Sequence, residues 1–247
     1  MYANYFFFSL LIGGVICLAL HEFFAMTLPG ERRAEKFAAG LCALGLLSAM
    51  IQQSPLLLVG LLTLMTLGFG CWFLLRFNNL EKVTGQLAIL LFGILYIALL
   101  FGHVALLRGV PDGREWIFLV LFIVMICDTC AYFVGSAIGC RRLYRSISPK
   151  KSIEGACGGL LGSILGALLV KFWFFGHLRL VDAVILGILL GIVGQLGDLF
   201  ESLLKRGANV KDSGTLIPGH GGVLDRLDSL LFAFPVAYYY ALWAGYG

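Results

Sequence analysis

SLLKRGANVKDSGTLIPGHGGVLDRLD, residues 202–228, gathers cations, carboxylates and glycines between apolar neighbours. Lys205, Arg206, Lys211 and Arg226 offer cationic donors, and Asp212, Asp225 and Asp228 offer oxygen ligands. Gly219, Gly221 and Gly222 let backbone amides approach an anion closely. This inventory suits phosphate together with a hard cation, because magnesium takes one or two carboxylates and completes its shell with water and substrate phosphate. Just upstream, GQLGDLFES at residues 194–202 runs on into Lys205. Asp198, Glu201, Ser202 and Lys205 therefore recur at i, i+3, i+4 and i+7, one stripe of a helix. Pro218 to Gly222 reads as a turn, and Asp225 and Asp228 stand one helical turn apart just after it.

Outside this stretch the chain is a membrane sequence. Its 247 residues are 60% hydrophobic and only 13% charged, against about a quarter charged in a soluble domain, and the mean hydropathy is +0.94. About eight apolar runs approach bilayer length. They are expected near 5–26, 37–51, 56–75, 87–107, 116–138, 155–174, 181–204 and 229–243. The fold class is thus all-α, a polytopic membrane bundle forming one integral-membrane domain over 1–247, with N-terminal helices in 1–110 and catalytic helices and loops in 111–247. The N-terminus has no positive n-region and no small-residue cleavage site, so it reads as a retained first helix.

Fourteen of the 18 Lys and Arg fall in loops of one side when the N-terminus is placed outside. That asymmetry puts Arg141 to Glu154 and residues 205–226 in the cytoplasm, where nucleotide is available. The net charge of +4 gives no reason to expect nucleic acid as a partner.

Several ionisable residues lie in or near the spans. Asp128 is well inside the fifth, where a carboxylate faces a polar cavity or makes a helix–helix hydrogen bond. His21 and Glu22 near the end of the first either serve a site or reach interfacial water. His103 has no carboxylate close in sequence and reads as a packed or interfacial histidine. Cys127 and Cys130 form a single C-x-x-C inside an apolar run and read as small buried hydrophobes. The basic loop with Arg141, Arg142, Arg145, Lys150 and Lys151 suits an anionic lipid surface or a phosphate substrate.

The 202–228 stretch closely resembles the signature of the CDP-diacylglycerol synthase, or phosphatidate cytidylyltransferase, family. The matching positions are Ser202, Lys205-Arg206, Lys211-Asp212, Gly214, Pro218, His220-Gly221-Gly222 and Asp225-Arg226-Leu227-Asp228. Asp128-Thr-x-Ala-Tyr132-x-x-Gly135 and Ser148-Pro149-Lys150-Lys151-Ser-x-Glu-Gly155 resemble two further blocks of it. Between them the chain departs from the pattern: Gly135-Ser-Ala-Ile-Gly-Cys140 stands where Gly-Arg-x-Phe-Gly-Lys is expected, with Arg141, Arg142 and Arg145 following.

The resemblance implies transfer of CMP from CTP to phosphatidic acid, giving CDP-diacylglycerol and pyrophosphate, with Mg2+ as cofactor and a second cation left open. It implies Asp198 and Asp225 as metal ligands, with Asp128, Asp212 and Asp228 as further candidates for metal or for orienting Lys and Arg. Lys205, Arg206, Lys211 and Arg226 would hold triphosphate and lipid phosphate. Pro149, Lys150 and Lys151 would cover the nucleotide, and Tyr132, Ser148, Ser202, His220, Gly221 and Gly222 complete the substrate-binding set. The expected partners are CTP, phosphatidic acid and membrane lipids, in a bacterial inner membrane with the site facing the cytoplasm, and a homodimer is compatible with the sequence. Two other readings compete. A CTP-dependent transferase or kinase acting on another lipid phosphate or a polyprenol would need a base for an alcohol acceptor. A cation-coupled transporter using Asp128 and Asp198 would predict two related halves, and no internal repeat is visible.

Overall fold

The computed structural model describes residues 2–76, 79–214 and 221–247. Its helices are α1 (Tyr2–Thr27), α2 (Arg33–Ile51), α3 (Pro55–Arg76), α4 (Leu80–Gly93), α5 (Leu100–Gly109), α6 (Gly113–Ile138), α7 (Ile153–Trp173), α8 (Leu180–Gly207) and α9 (Asp228–Trp243). A π-helical turn, Ile94–Leu99, joins α4 to α5 without a break. Seven helical runs among the described residues are long and apolar enough to cross a membrane, counting Leu80–Gly109 as one. The protein is an all-α integral membrane bundle.

All the expected spans appear as helices, with informative differences at their ends. The second and fourth begin earlier than the apolar runs, at Arg33 and Leu80. Polar first turns are cheap at a membrane boundary, and Asn79 caps α4 by accepting from the Glu81 amide at 2.9 Å. The eighth is the exception in length. Helix α9 has 16 residues, about 24 Å at 1.5 Å per residue and short of a hydrocarbon core of about 30 Å.

Two compact units partition the chain, Met1–Leu106 with Asp212–Asp225, and Leu107–Lys211 with Arg226–Gly247. In the first, Phe23 and Phe24 of α1 pack against Gly93, where an added methyl would lie 2.7 Å from either ring. Arg32, nearly buried, pairs with Glu35 at 2.8 Å and lies over the Phe73 ring at 4.7 Å. Helix α3 turns Leu56, Val59, Leu64, Leu67, Leu74 and Leu75 outward, as a lipid-facing helix does.

The second unit is built on small residues. Gly155, Gly159, Gly162 and Gly166 make one stripe of α7, where a methyl at Gly159 would sit 3.0 Å from the Cys127 carbonyl oxygen and one at Gly162 2.6 Å from the Cys130 sulfur. Across the other side of α7, Ser163 Oγ donates to the Gly187 carbonyl of α8 at 2.7 Å. Without lipid-excluded apolar area to drive association, membrane helices gain from such close approach and from interhelical hydrogen bonds. The same logic seats α9: a methyl at Gly197 of α8 would come 2.5 Å from the Asp228 carbonyl oxygen.

The basic segment between α6 and α7, expected from the sequence only as a loop, is an antiparallel hairpin of β1 (Arg142–Tyr144) and β2 (Ser148–Ser152). Its base is fixed by Glu154, which accepts from the Cys140 and Arg141 amides at 3.1 Å. Ser152 closes the strand and caps α7, accepting from the Gly155 amide at 3.1 Å.

Candidate active site

Asp128 comes from α6, Asp198 from α8, Asp228 from the first residue of α9, and Lys151 from β2. All four belong to the second unit. Lys151 Nζ lies 2.6 Å from Asp198 Oδ2, with both side chains about 30% exposed. Asp128 interacts electrostatically with Asp198 and Lys151, and Asp228 with Asp198, Asp128 and Lys205. Asp228 Oδ1 also accepts its neighbour Ser229's amide at 2.6 Å. The strand explains why Lys151 and not Lys150 reaches the carboxylates. Successive strand residues face opposite sides, so Lys150 is exposed while its carbonyl accepts from Arg142 Nη1 at 3.2 Å.

The helical stripe on α8 continues the site. Glu201 is fully buried, and Lys205 Nζ stands 3.4 Å from its Oε1 one turn on; Ser202 is half-buried beside them. The formal charges of Asp128, Asp198, Glu201 and Asp228 exceed those of Lys151 and Lys205 by two negatives. Uncompensated charge of that size is costly in a membrane-embedded site, and clustered hard oxygen donors match a divalent ion. Among the described residues no three His, Cys, Asp or Glu side chains make a preformed metal cage, and magnesium asks for only one or two carboxylates, completing its shell with water and phosphate.

Other residues expected at the site are placed as follows. Arg206 is exposed at the end of α8, donating to the Ile147 carbonyl at 3.4 Å and the Val210 carbonyl at 3.2 Å, which ties the hairpin turn to the helix end. Lys211 and Arg226 are exposed members of the same unit. Ser148 is half-buried and Pro149 exposed on β2. Tyr132, exposed on α6, meets Phe133 edge-on at 5.6 Å.

In the first unit, the exposed Asp212 opens the segment that Asp225 closes. Asp225 accepts from the Ser213 amide at 3.0 Å and the Gly222 amide at 2.8 Å. Gly221 has φ +81°, a left-handed conformation that favours glycine, and a side chain there would also meet Asp225. Asp198 and Asp225, expected together from the resemblance, fall in different units. Lys151 shares the unit of Asp198, whereas Ser213 and Gly222 share that of Asp225. His220, Pro218 and Gly219 lie outside the described residues.

Of the buried carboxylates Glu22, Glu35, Asp182 and Glu201, two lie beside expected site residues and went unassigned by sequence reasoning. Glu201 had a signal, its place on the α8 stripe. Glu22 had only a weak one, an ionisable residue in an apolar span; the structure gives it three hydrogen-bond donors from residues some two hundred positions away. His103, by contrast, is packed as expected, its Nδ1 2.8 Å from the Leu99 carbonyl.

The profile of the cytidylyltransferase family matches residues 1–243. The chain belongs to that family. It is 35% identical over 175 residues to the phosphatidate cytidylyltransferase of Bacillus subtilis (strain 168), a match taking in 69% of this chain and 65% of the relative, a little under two thirds of its length. It is 36% identical over 197 residues to that of Staphylococcus haemolyticus (strain JCSC1435), covering 78% of this chain and 75% of the relative. With the phosphatidate cytidylyltransferase of Synechocystis sp. it shares 44% identity over 132 residues, 53% of this chain and 45% of the relative. Family membership makes the charged cluster on α6, α8, α9 and β2 the natural place to look for the cytidylyltransferase chemistry.

Proposed function

We propose that this chain is a phosphatidate cytidylyltransferase of a bacterial inner membrane, with its site open to the cytoplasm. In the reaction, a phosphate oxygen of phosphatidic acid attacks the α-phosphorus of CTP. The bond from that phosphorus to the bridging oxygen breaks, and pyrophosphate leaves with the electron pair. CDP-diacylglycerol is the other product.

The attacking oxygen is already anionic near neutral pH, so the site needs no dedicated base. Its work is to position two negatively charged reactants and offset their charge. The carrying observation is the joining of Asp128, Asp198 and Asp228 with Lys151, 2.6 Å from Asp198, in a member of this family. Asp198, with Asp128 or Asp228 beside it, would give magnesium the one or two carboxylates it takes, and the bound ion would neutralise phosphate oxygens. Lys151 holds Asp198 in place and presents a cation beside the triphosphate. Lys205, anchored by Glu201, keeps its ammonium within the same cluster, and Arg206, Lys211 and Arg226 offer further phosphate donors. A lipid head group and a soluble nucleotide can both reach a site whose cationic strand lies in the cytoplasmic loop.

The test is direct. Purified protein given phosphatidic acid, labelled CTP and magnesium should release pyrophosphate and form a cytidine liponucleotide, and Asp198→Asn should not. Release of CDP with phosphorylation of a polyprenol would overturn the assignment.

A further inference from the structure

Glu22 sits near the end of α1 with only 6% of its surface exposed. A carboxylate buried in a membrane helix is costly unless its oxygens are filled, and these are. Oε1 accepts from the Val223 amide at 2.9 Å. Oε2 accepts from the Leu224 amide at 2.9 Å and from Ser213 Oγ at 3.1 Å. Ser213 in turn gives its amide to Asp225. One side chain of α1 thus fastens both described flanks of residues 215–220, Ser213 on one side and Val223–Leu224 on the other. All of these residues belong to the first unit.

The glycines on either flank make the same point independently. A methyl at Gly214 would lie 2.8 Å from Glu22 Oε1, and one at Gly222 would lie 2.7 Å from the Glu22 carboxyl carbon. Both positions have to be bare for the carboxylate to enter. The small residue after Lys211-Asp212 and the last glycine of His220-Gly221-Gly222 are therefore shaped around Glu22.

We propose that Glu22 is a positioning residue for the cytidylyl transfer, acting by fixing Ser213, Val223 and Leu224 and so, through the Ser213 amide and the 3-10 turn Leu224–Arg226, the placing of Asp225 and Arg226. This rests on the functional reading above. The Glu22 oxygens are taken up by Val223, Leu224 and Ser213, so the residue acts through them; removing it loosens Asp225 and the turn that carries Arg226. The expected effect is on kcat, since misplacing a charged donor such as Arg226 lowers transition-state stabilisation.

The experiment uses the full chain in detergent and two readouts. Glu22→Gln keeps length and shape but turns an amide donor toward backbone N–H groups that need an acceptor. Hydrogen exchange of the peptide covering Val223 and Leu224 should accelerate at least tenfold in Glu22→Gln. kcat should fall at least tenfold with KM for CTP within about threefold, and Glu22→Asp, which retains two acceptor oxygens, should recover part of the loss. Glu35→Gln, which disturbs another buried carboxylate of the same unit, should leave exchange at 223–224 and kcat near wild type. Unchanged exchange in Glu22→Gln, faster exchange with unchanged kcat, or an equal loss of kcat in Glu35→Gln would each overturn the proposal. Absence of liponucleotide formation by the wild type would instead strike the reading of the reaction, while the exchange arm would still decide whether Glu22 anchors the segment.

Discussion

Lys151 Nζ and Asp198 Oδ2 stand 2.6 Å apart, one from a strand of a hairpin and the other from a membrane helix. The pair is partly exposed, so its worth as a surface ion pair is modest. In the proposed reaction its role would be to fix a cation and a carboxylate relative to each other before any substrate arrives. Lys151→Met should therefore lower kcat/KM for CTP by about 10²–10³, the usual loss when one preorganised charged donor is removed from a transition state. Lys150→Met, on the opposite face of the strand, should cost less than tenfold. Steady-state kinetics on the two variants separates them, and equal losses would refute the assignment by strand face.

Chelation of divalent ions should stop turnover, and added magnesium should restore it. With the excess negative charge of the cluster reduced, Asp128→Asn and Asp228→Asn should each raise the half-saturating magnesium concentration by roughly 10–100-fold, the range found when groups supporting a metal are removed. Titrating activity against magnesium reads the shift directly.

Gly197→Ala should damage both stability and activity. The new methyl meets the Asp228 carbonyl oxygen at 2.5 Å, and backbone cannot swing aside as a side chain can. The expected cost is about 1–3 kcal/mol from overpacking, together with displacement of Asp228. Gly60→Ala, with nothing within 4 Å of the added methyl, should be neutral. Thermal unfolding in detergent distinguishes the two.

Asp182 offers a control far from the chemistry. Buried at the start of α8, it accepts from Arg179 Nε at 2.6 Å, from Tyr240 at 2.9 Å and from Tyr246. It lies roughly 24 Å along the helix from Asp198. Tyr246→Phe should cost about 1.5–3 kcal/mol of stability, the worth of a hydrogen bond to a charged group, and leave KM for CTP unchanged. A rise in KM would show coupling along α8 that the geometry gives no reason to expect.

The membrane spans were legible because a bilayer imposes a length on apolar runs that few other constraints can mimic. The stripe from Asp198 to Lys205 was legible for a similar reason, since a helix repeats its faces every turn and Glu201 and Lys205 do meet one turn apart. The hairpin was not legible. Ser148-Pro-Lys-Lys-Ser152 has no apolar alternation to announce a strand, so nothing in it said which lysine would face Asp198. Nor could the sequence pair Glu22 with Val223 and Leu224, because no local period links residues two hundred apart. The brevity of α9, by contrast, was legible, since the apolar run expected at 229–243 has 15 residues and the helix 16.

A ribbon of only two strands has no third neighbour to lock its alignment, and β1 and β2 already change step between Arg142 and Tyr144. Sliding β2 by a single position would turn Lys151 away and swing Lys150 in. Asp198 thus acts as a detent beside the Glu154 and Arg206 bonds, helping to keep the ribbon in the notch that delivers Lys151.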